Sequence, residues 1–239
     1  MDVSYTDDKR GNVKIYKTSV ITEKRMLTVE DLVRIDDDIR SGSFFHNPTF
    51  LDALAAAKRL ERPIHLIGLV SDGGVHSHVQ HLIALIKLCQ QNDVSPAVHM
   101  ISDGRDTAPQ SALQFVELLE PHLTEANGQI ASVSGRYYAM DRDKRWDRIK
   151  LAWRCITAGE GEQANSAKAA IEQAYEKNIK DEFILPTHIT NGALIQSYDE
   201  VIFFNFRNDR PRQGTYTLAG KEIKRLERVS FKHMKPSGT

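Results

Sequence analysis

Three times between residues 63 and 148, a short apolar run stops at a glycine turn and gives way to a helical pattern. "PIHLIGLV" runs into "SDGG" and then "HSHVQHLIALIKLCQ", "AVHMIS" runs into "DGRD", and "IASVSG" runs into "RYYAMDRDKRWDR". Apolar runs of this length, closed by turn residues, are the pattern of strands buried on both faces. Parallel neighbours cannot be joined by a tight hairpin, so the helix between successive strands serves as the crossover. The chain is therefore predicted to be α/β, a three-layer αβα fold around a largely parallel sheet. A fourth apolar run, "VIFFNF" at 201–206, ends in "RNDR" ahead of a last helical stretch.

The flanking signals set the remaining elements. Thr28 with Asp31 resembles a capping box and predicts a helix to about Arg40, and Asn47 with Pro48 predicts the start of a second helix that runs through Leu60. Periodicity places later helices from Pro109 to about Leu119 and after Asp143. "ITNGALI" has the Asn-Gly pair of a small peripheral hairpin. Residues 1–24 show no clear period and are expected to be a poorly ordered lead-in to a domain spanning 25–239.

Each apolar run is followed at once by a polar cluster. These are Asp72, His76 and His78; then Asp103, Arg105 and Asp106; then Arg136 and Arg142; then Arg207, Asp209 and Arg210. In an open parallel sheet the turns after the strands share one edge, where ligands bind, so the clusters should converge. Five arginines there offer forked donors for phosphate and carboxylate oxygens, which points to a small anion. The overall charge gives no competing explanation. With 32 Lys+Arg against 32 Asp+Glu, nothing favours nucleic acid or an acidic membrane as partner.

Other readings of the same residues remain open. A charged turn after a strand is ordinary, and any one arginine could be merely solvated or salt-bridged. Lys144, Arg145 and Arg148 fall in a helix whose Asp143 and Asp147 supply partners at helical spacing, with Trp146, Ile149 and Trp153 on its buried side. Tyr137 and Tyr138 fit either role. His76, His78 and His81, with Asp72 or Asp103, could form a hydrolytic metal site. Their i, i+2 spacing puts His76 and His78 on different helix faces unless the helix starts late. The two cysteines, Cys89 and Cys155, lie in amphipathic stretches and read as core groups. The chain shows neither a signal peptide nor a membrane span, and a soluble, cytoplasmic monomer is expected.

"LVSDGGVHSH", "DGRDTAP", "SGRYYAMDRDKRWDR" and "FFNFRNDR" closely resemble, in order and spacing, the cofactor-independent phosphoglycerate mutases, metal-dependent relatives of alkaline phosphatase. The resemblance runs from about Arg25 to Gln213 and covers the substrate-holding (transferase) domain of that family. It implies that His76, Arg105, Asp106, Arg136, Arg142, Arg207 and Arg210 bind 2- or 3-phosphoglycerate, with His76 and Asp106 beside the hydroxyl and carboxylate. In that family a serine on a second, phosphatase-like domain carries the phosphoryl group, assisted by two manganese ions. Before Arg25 this chain has "GNVKIYKTSVITEK" in place of the family's nucleophile segment, and no counterpart of the later metal ligands or of a further substrate lysine is recognised. The resemblance thus implies the substrate-binding half of a glycolytic mutase, inactive alone and binding no metal itself. The alternative is a non-catalytic or regulatory protein that binds a phosphorylated metabolite.

Overall fold

The computed structural model describes residues 29–141, 143 and 145–207, together with the backbone of 14–17. Of the positions singled out above, Thr28, Arg142, Lys144, Asp209 and Arg210 lie outside the described residues. The strands are β1 (Lys14–Lys17), β2 (Ile64–Val70), β3 (Pro96–Ser102), β4 (Gln129–Gly135), β5 (Glu162–Ala164), β6 (Thr187–Ile189) and β7 (Glu200–Phe203). They form one seven-stranded sheet in the order β1-β7-β2-β3-β4-β6-β5. Every neighbouring pair is parallel except β4 and β6.

Seven helices accompany the sheet among the described residues: α1 (Val29–Ser41), α2 (Pro48–Arg59), α3 (Val79–Gln91), α4 (Ala112–Glu125), α5 (Arg136–Ala139), α6 (Trp146–Ala158) and α7 (Ala167–Glu176). The central strands β2 and β3 are buried along their whole length, as their unbroken apolar runs require. Alternation along the strands splits the core in two. Leu66, Val98, Met100 and Val133 meet Leu54, Leu82, Leu85, Phe115 and Ile171 on one face. Ile67, Leu69, Ile101 and Phe203 meet Met140 and the half-buried Trp153 and Ile156 on the other. The pattern thus yields the α/β three-layer arrangement that the sequence predicts.

Several boundaries depart from the sequence pattern for identifiable reasons. Asn47 does cap α2, accepting a bond from the Thr49 N–H at 3.0 Å. Helix α3, however, starts only at Val79, with His78 as its N-cap. Helix α4 starts at Ala112 rather than Pro109, because Asp181 from a distant turn accepts the N–H groups of Ser111 and Ala112 at 2.8 and 3.0 Å. It also runs past Pro121, with the buried Leu123 anchoring its last turn in the core. Asp141 accepts the N–H groups of Asp143 and Arg145 and so sets the start of α6. The Asn-Gly pair does mark a turn, with Asn191 at φ 62°. No hairpin forms there, since β6 pairs instead with β4 and β5. Strand β1 falls within the stretch expected to be poorly ordered; it pairs parallel to β7, a long-range partnership that leaves no local turn signal.

A polar row crosses the buried sheet. Asp199 Oδ2 lies 3.2 Å from His65 Nε2, His65 Nδ1 lies 3.0 Å from His99 Nε2, and His99 Nδ1 lies 2.9 Å from Ser132 Oγ. One proton assignment satisfies the row: Ser132 donates to His99, His99 to His65, and His65 to the carboxylate. Burial, helped by neighbouring His65 and His188, holds His99 well below the usual histidine range. Burial also lowers His81 and His188. A histidine kept neutral by folding stabilises fully above its unfolded pKa, near 6.5, and that stability is lost as the pH falls below it, because only the unfolded chain takes the proton. For the fully buried His99 the loss approaches about 1.4 kcal/mol per pH unit. The melting temperature is therefore expected to fall steadily from about pH 6.5 to about pH 5; an unchanged value over that interval would contradict a buried, neutral His99.

Candidate functional site

The turns that follow β2, β3 and β4 meet at one edge of the sheet. Asp103, the first residue after β3, is 2% exposed and gathers four donors. Its Oδ1 accepts the N–H groups of Arg105 and Asp106 at 3.2 and 3.0 Å and Arg136 Nη1 at 2.5 Å, and its Oδ2 accepts the Ser71 hydroxyl at 2.7 Å. Burial would raise the Asp103 pKa, but these donors outweigh it and hold the carboxyl below its usual range. The same Arg136 Nη1 donates to Asp106 Oδ2 at 2.6 Å. Burial of Arg136 is likewise outweighed by Asp106 and Asp103, which raise its pKa above the ordinary value. One buried guanidinium, on the first residue after β4, thus ties the end of β4 to the turn after β3.

The turn after β2 closes on this pair. His76 is 3% exposed, and its Nε2 lies 3.9 Å from Asp106 Oδ2. Gly73 lies against the same aspartate; a Cβ there would come within 3.0 Å of the Asp106 Cβ. The segment after β7 joins the edge through the Arg207 N–H, which donates to the His76 carbonyl at 3.4 Å. Of the sequence-predicted residues, His76, Asp106 and Arg136 are therefore brought together, with Arg207 beside them. Arg105 stands at the rim, its side chain 60% exposed and 3.7 Å from Glu182. Arg142 and Arg210 fall outside the described residues.

Two helix expectations are corrected, and the alternative of a histidine metal site meets an unfavourable geometry. Helix α3 starts late, yet the histidines part company: His78 caps α3, His81 bonds Asp36 at 2.9 Å, and Asp72 is exposed. Among the described residues no three His, Cys, Asp or Glu side chains are gathered so as to hold a metal ion, so the donor arrangement does not fit a hydrolytic metal centre. Arg145 precedes α6 rather than lying within it, 3.7 Å from Asp143. Arg148 stacks over the Tyr137 ring, 3.7 Å from its centroid, and Tyr137 in turn meets Phe183. Cys89 and Cys155 are buried and their thiols are pushed up to about 12 by burial, which makes them core groups.

Residues 35–237 match the family model described as BPG-independent PGAM N-terminus. The chain belongs to this family. The curated 2,3-bisphosphoglycerate-independent phosphoglycerate mutase of Clostridium novyi (strain NT) is 45% identical over 237 residues, 97% of this chain and 46% of the relative. The corresponding mutase 1 of Methanosarcina barkeri is 46% identical over 210 residues, 84% of this chain and 41% of the relative. The chain thus spans about half the length of the curated relatives it matches. A crystal structure of Leishmania mexicana phosphoglycerate mutase at low cobalt concentration superimposes with a TM-score of 0.78 at 28% identity, covering 83% of this chain and 39% of that one.

The four motifs fall within the matched residues, but two residues of the site received no binding assignment from them. Asp103 opens "DGRD" and organises the other residues, a role its short sequence context does not distinguish from a plain turn. Glu182, from the one-turn 3-10 helix Asp181–Phe183, reaches the site from a stretch with no motif at all. No helix of the described residues is long and apolar enough to cross a membrane.

Proposed function

We propose that this chain, through a domain spanning residues 25–239, is the substrate-holding half of a phosphoglycerate mutase that interconverts 3- and 2-phosphoglycerate. His76, Arg105, Asp106, Arg136, Arg142, Arg207 and Arg210 hold the ligand. The observation that carries this reading is the junction of His76, Asp106 and Arg136 from three separate strand ends, in a chain of the mutase family. Both described bonds of Arg136 leave from Nη1. The donors on Nη2 and Nε are then the ones a phosphate or carboxylate meets. The Asp106 carboxylate accepts from a glycerate hydroxyl, and His76 lies close enough to Asp106 to share its proton through small movements.

Phosphoryl transfer also needs an activated nucleophile and neutralisation of the transferring charge. In this reading a second, phosphatase-like half supplies both, and the two manganese ions implied by the resemblance belong there. This half keeps the glycerate from escaping while its phosphoryl group is carried. Calorimetry on the purified chain is expected to show phosphoglycerate binding that weakens as salt is added, because the contacts are ionic. Mutase assays of the same preparation are expected to stay at background. Heat signals indifferent to phosphoglycerate would remove the substrate assignment, and turnover by the pure chain with manganese would remove the assignment of chemistry to another half.

A further inference from the structure

Arg136 and Arg105, both at this edge, are held in opposite ways. Arg136 is buried and bonded at 2.5 and 2.6 Å to Asp103 and Asp106. Arg105 is largely exposed and meets Glu182 at 3.7 Å, a loose pair. We propose that Glu182 is a built-in competitor for the anion at Arg105: its carboxylate holds the guanidinium until the ligand's own anionic group displaces it, and so sets how tightly the site binds. This rests on the reading of Arg105 as an anion-holding residue.

The backbone keeps Glu182 where it must be for this role. A Cβ on Gly104, the residue before Arg105, would lie 2.9 Å from the Glu182 nitrogen, and a Cβ on Gly135, the residue before Arg136, would lie 2.7 Å from the Glu182 carbonyl carbon. The Gly135 N–H donates to the Ile184 carbonyl at 2.8 Å. Asp181 is fixed on the other side. Its carbonyl accepts the Ser102 hydroxyl at 2.8 Å, and its carboxylate accepts Tyr175, Ser111 and Ala112. The Glu182 backbone is therefore wedged between the two arginine-bearing turns, which keeps its side chain within reach of Arg105. A loose, partly solvated pair of this kind is weak. A phosphate, with more charge and three acceptor oxygens, replaces the carboxylate.

Competition predicts a sign that loss of a structural contact does not: removing Glu182 tightens binding. Titrations of inorganic phosphate and of 3-phosphoglycerate are compared on the parent chain, Glu182→Gln, Arg105→Gln and the double variant. Glu182→Gln is expected to bind both ligands about two- to fivefold more tightly at low salt. The gain should shrink as salt rises and vanish in the Arg105→Gln background, as coupling through Arg105 demands. Equal or weaker binding by Glu182→Gln, or a gain that persists without Arg105, overturns the proposal while phosphoglycerate binding by the parent leaves the site reading intact. Tighter phosphate binding with no phosphoglycerate binding keeps the competitor and removes the substrate class. Binding of neither ligand to any of the proteins removes both.

Discussion

Arg136→Ala is expected to abolish phosphoglycerate binding and to lower folding stability by about 3–5 kcal/mol, the usual cost of leaving a buried charge without its partner. The guanidinium is the one positive charge bonded to both Asp103 and Asp106 among the described residues, and its side chain is only 5% exposed. Asp103 would keep the Ser71 hydroxyl and two backbone N–H groups, so its turn would persist with an uncompensated carboxylate at its centre. In the parent, Asp103 is held below its usual range, so its contribution is present above the unfolded carboxyl pKa, near 4, and is lost as the pH falls through the folded value. Without Arg136 most of that contribution is gone at neutral pH, and the variant should lose less on acidification than the parent does. Urea denaturation of the parent, Arg136→Ala and Arg136→Ala with Asp103→Asn gives the check. The added Asp103→Asn change is expected to recover part of the loss by removing the stranded charge. A single-variant loss below about 1 kcal/mol would mean that the pair is solvated and ordinary.

Gly135→Ala is the second large effect, about 3 kcal/mol or more, and its cause is purely steric. Gly135 has φ −64° and ψ 146°, which any residue adopts. The added methyl would nevertheless meet the Glu182 carbonyl group and come within 2.7 Å of the Ile184 nitrogen. Those are backbone atoms and cannot rotate aside as a side chain would. Relief requires the 181–184 turn to move away from the sheet, which breaks the Gly135 to Ile184 hydrogen bond and shifts Glu182 from Arg105. Gly42→Ala is the control. Its φ of +83° carries backbone strain of about 1 kcal/mol, but nothing lies within 4 Å of the added carbon. Calorimetric melting should rank Gly135→Ala well below Gly42→Ala. Equal losses would show that the turn yields freely.

Much of this was legible in the chain because it depended on local rules. The buried strands β2, β3 and β4 announced themselves as apolar runs, and Asn47 with Pro48 marked the start of α2. Convergence of His76, Asp106 and Arg136 followed from strand ends sharing an edge. What escaped depended on long-range partners. The start of α4 is set by Asp181, about seventy residues away, and the stack of Arg148 on Tyr137, which in turn meets Phe183, joins three segments. Register gave no warning of one irregularity: between Val98 and His99 the pairing slips, and β4 accommodates Ala131 as an extra residue. That bulge lets Ser132 face His99 while Ile130 and Val133 both reach the larger core. Glu182 lacked any signal, since a lone carboxylate in "KDEFILP" looks like solvated surface.

Main chain against main chain, at Gly104 and Gly135, fixes the gap between the two arginine-bearing turns. Peptide bonds act there as a spacer, so the aperture is preset and need not be organised by an arriving guest. Substitution of the side chain at position 182 can then retune the local potential without altering the width of the opening. Affinity and geometry are separately adjustable in such a scaffold.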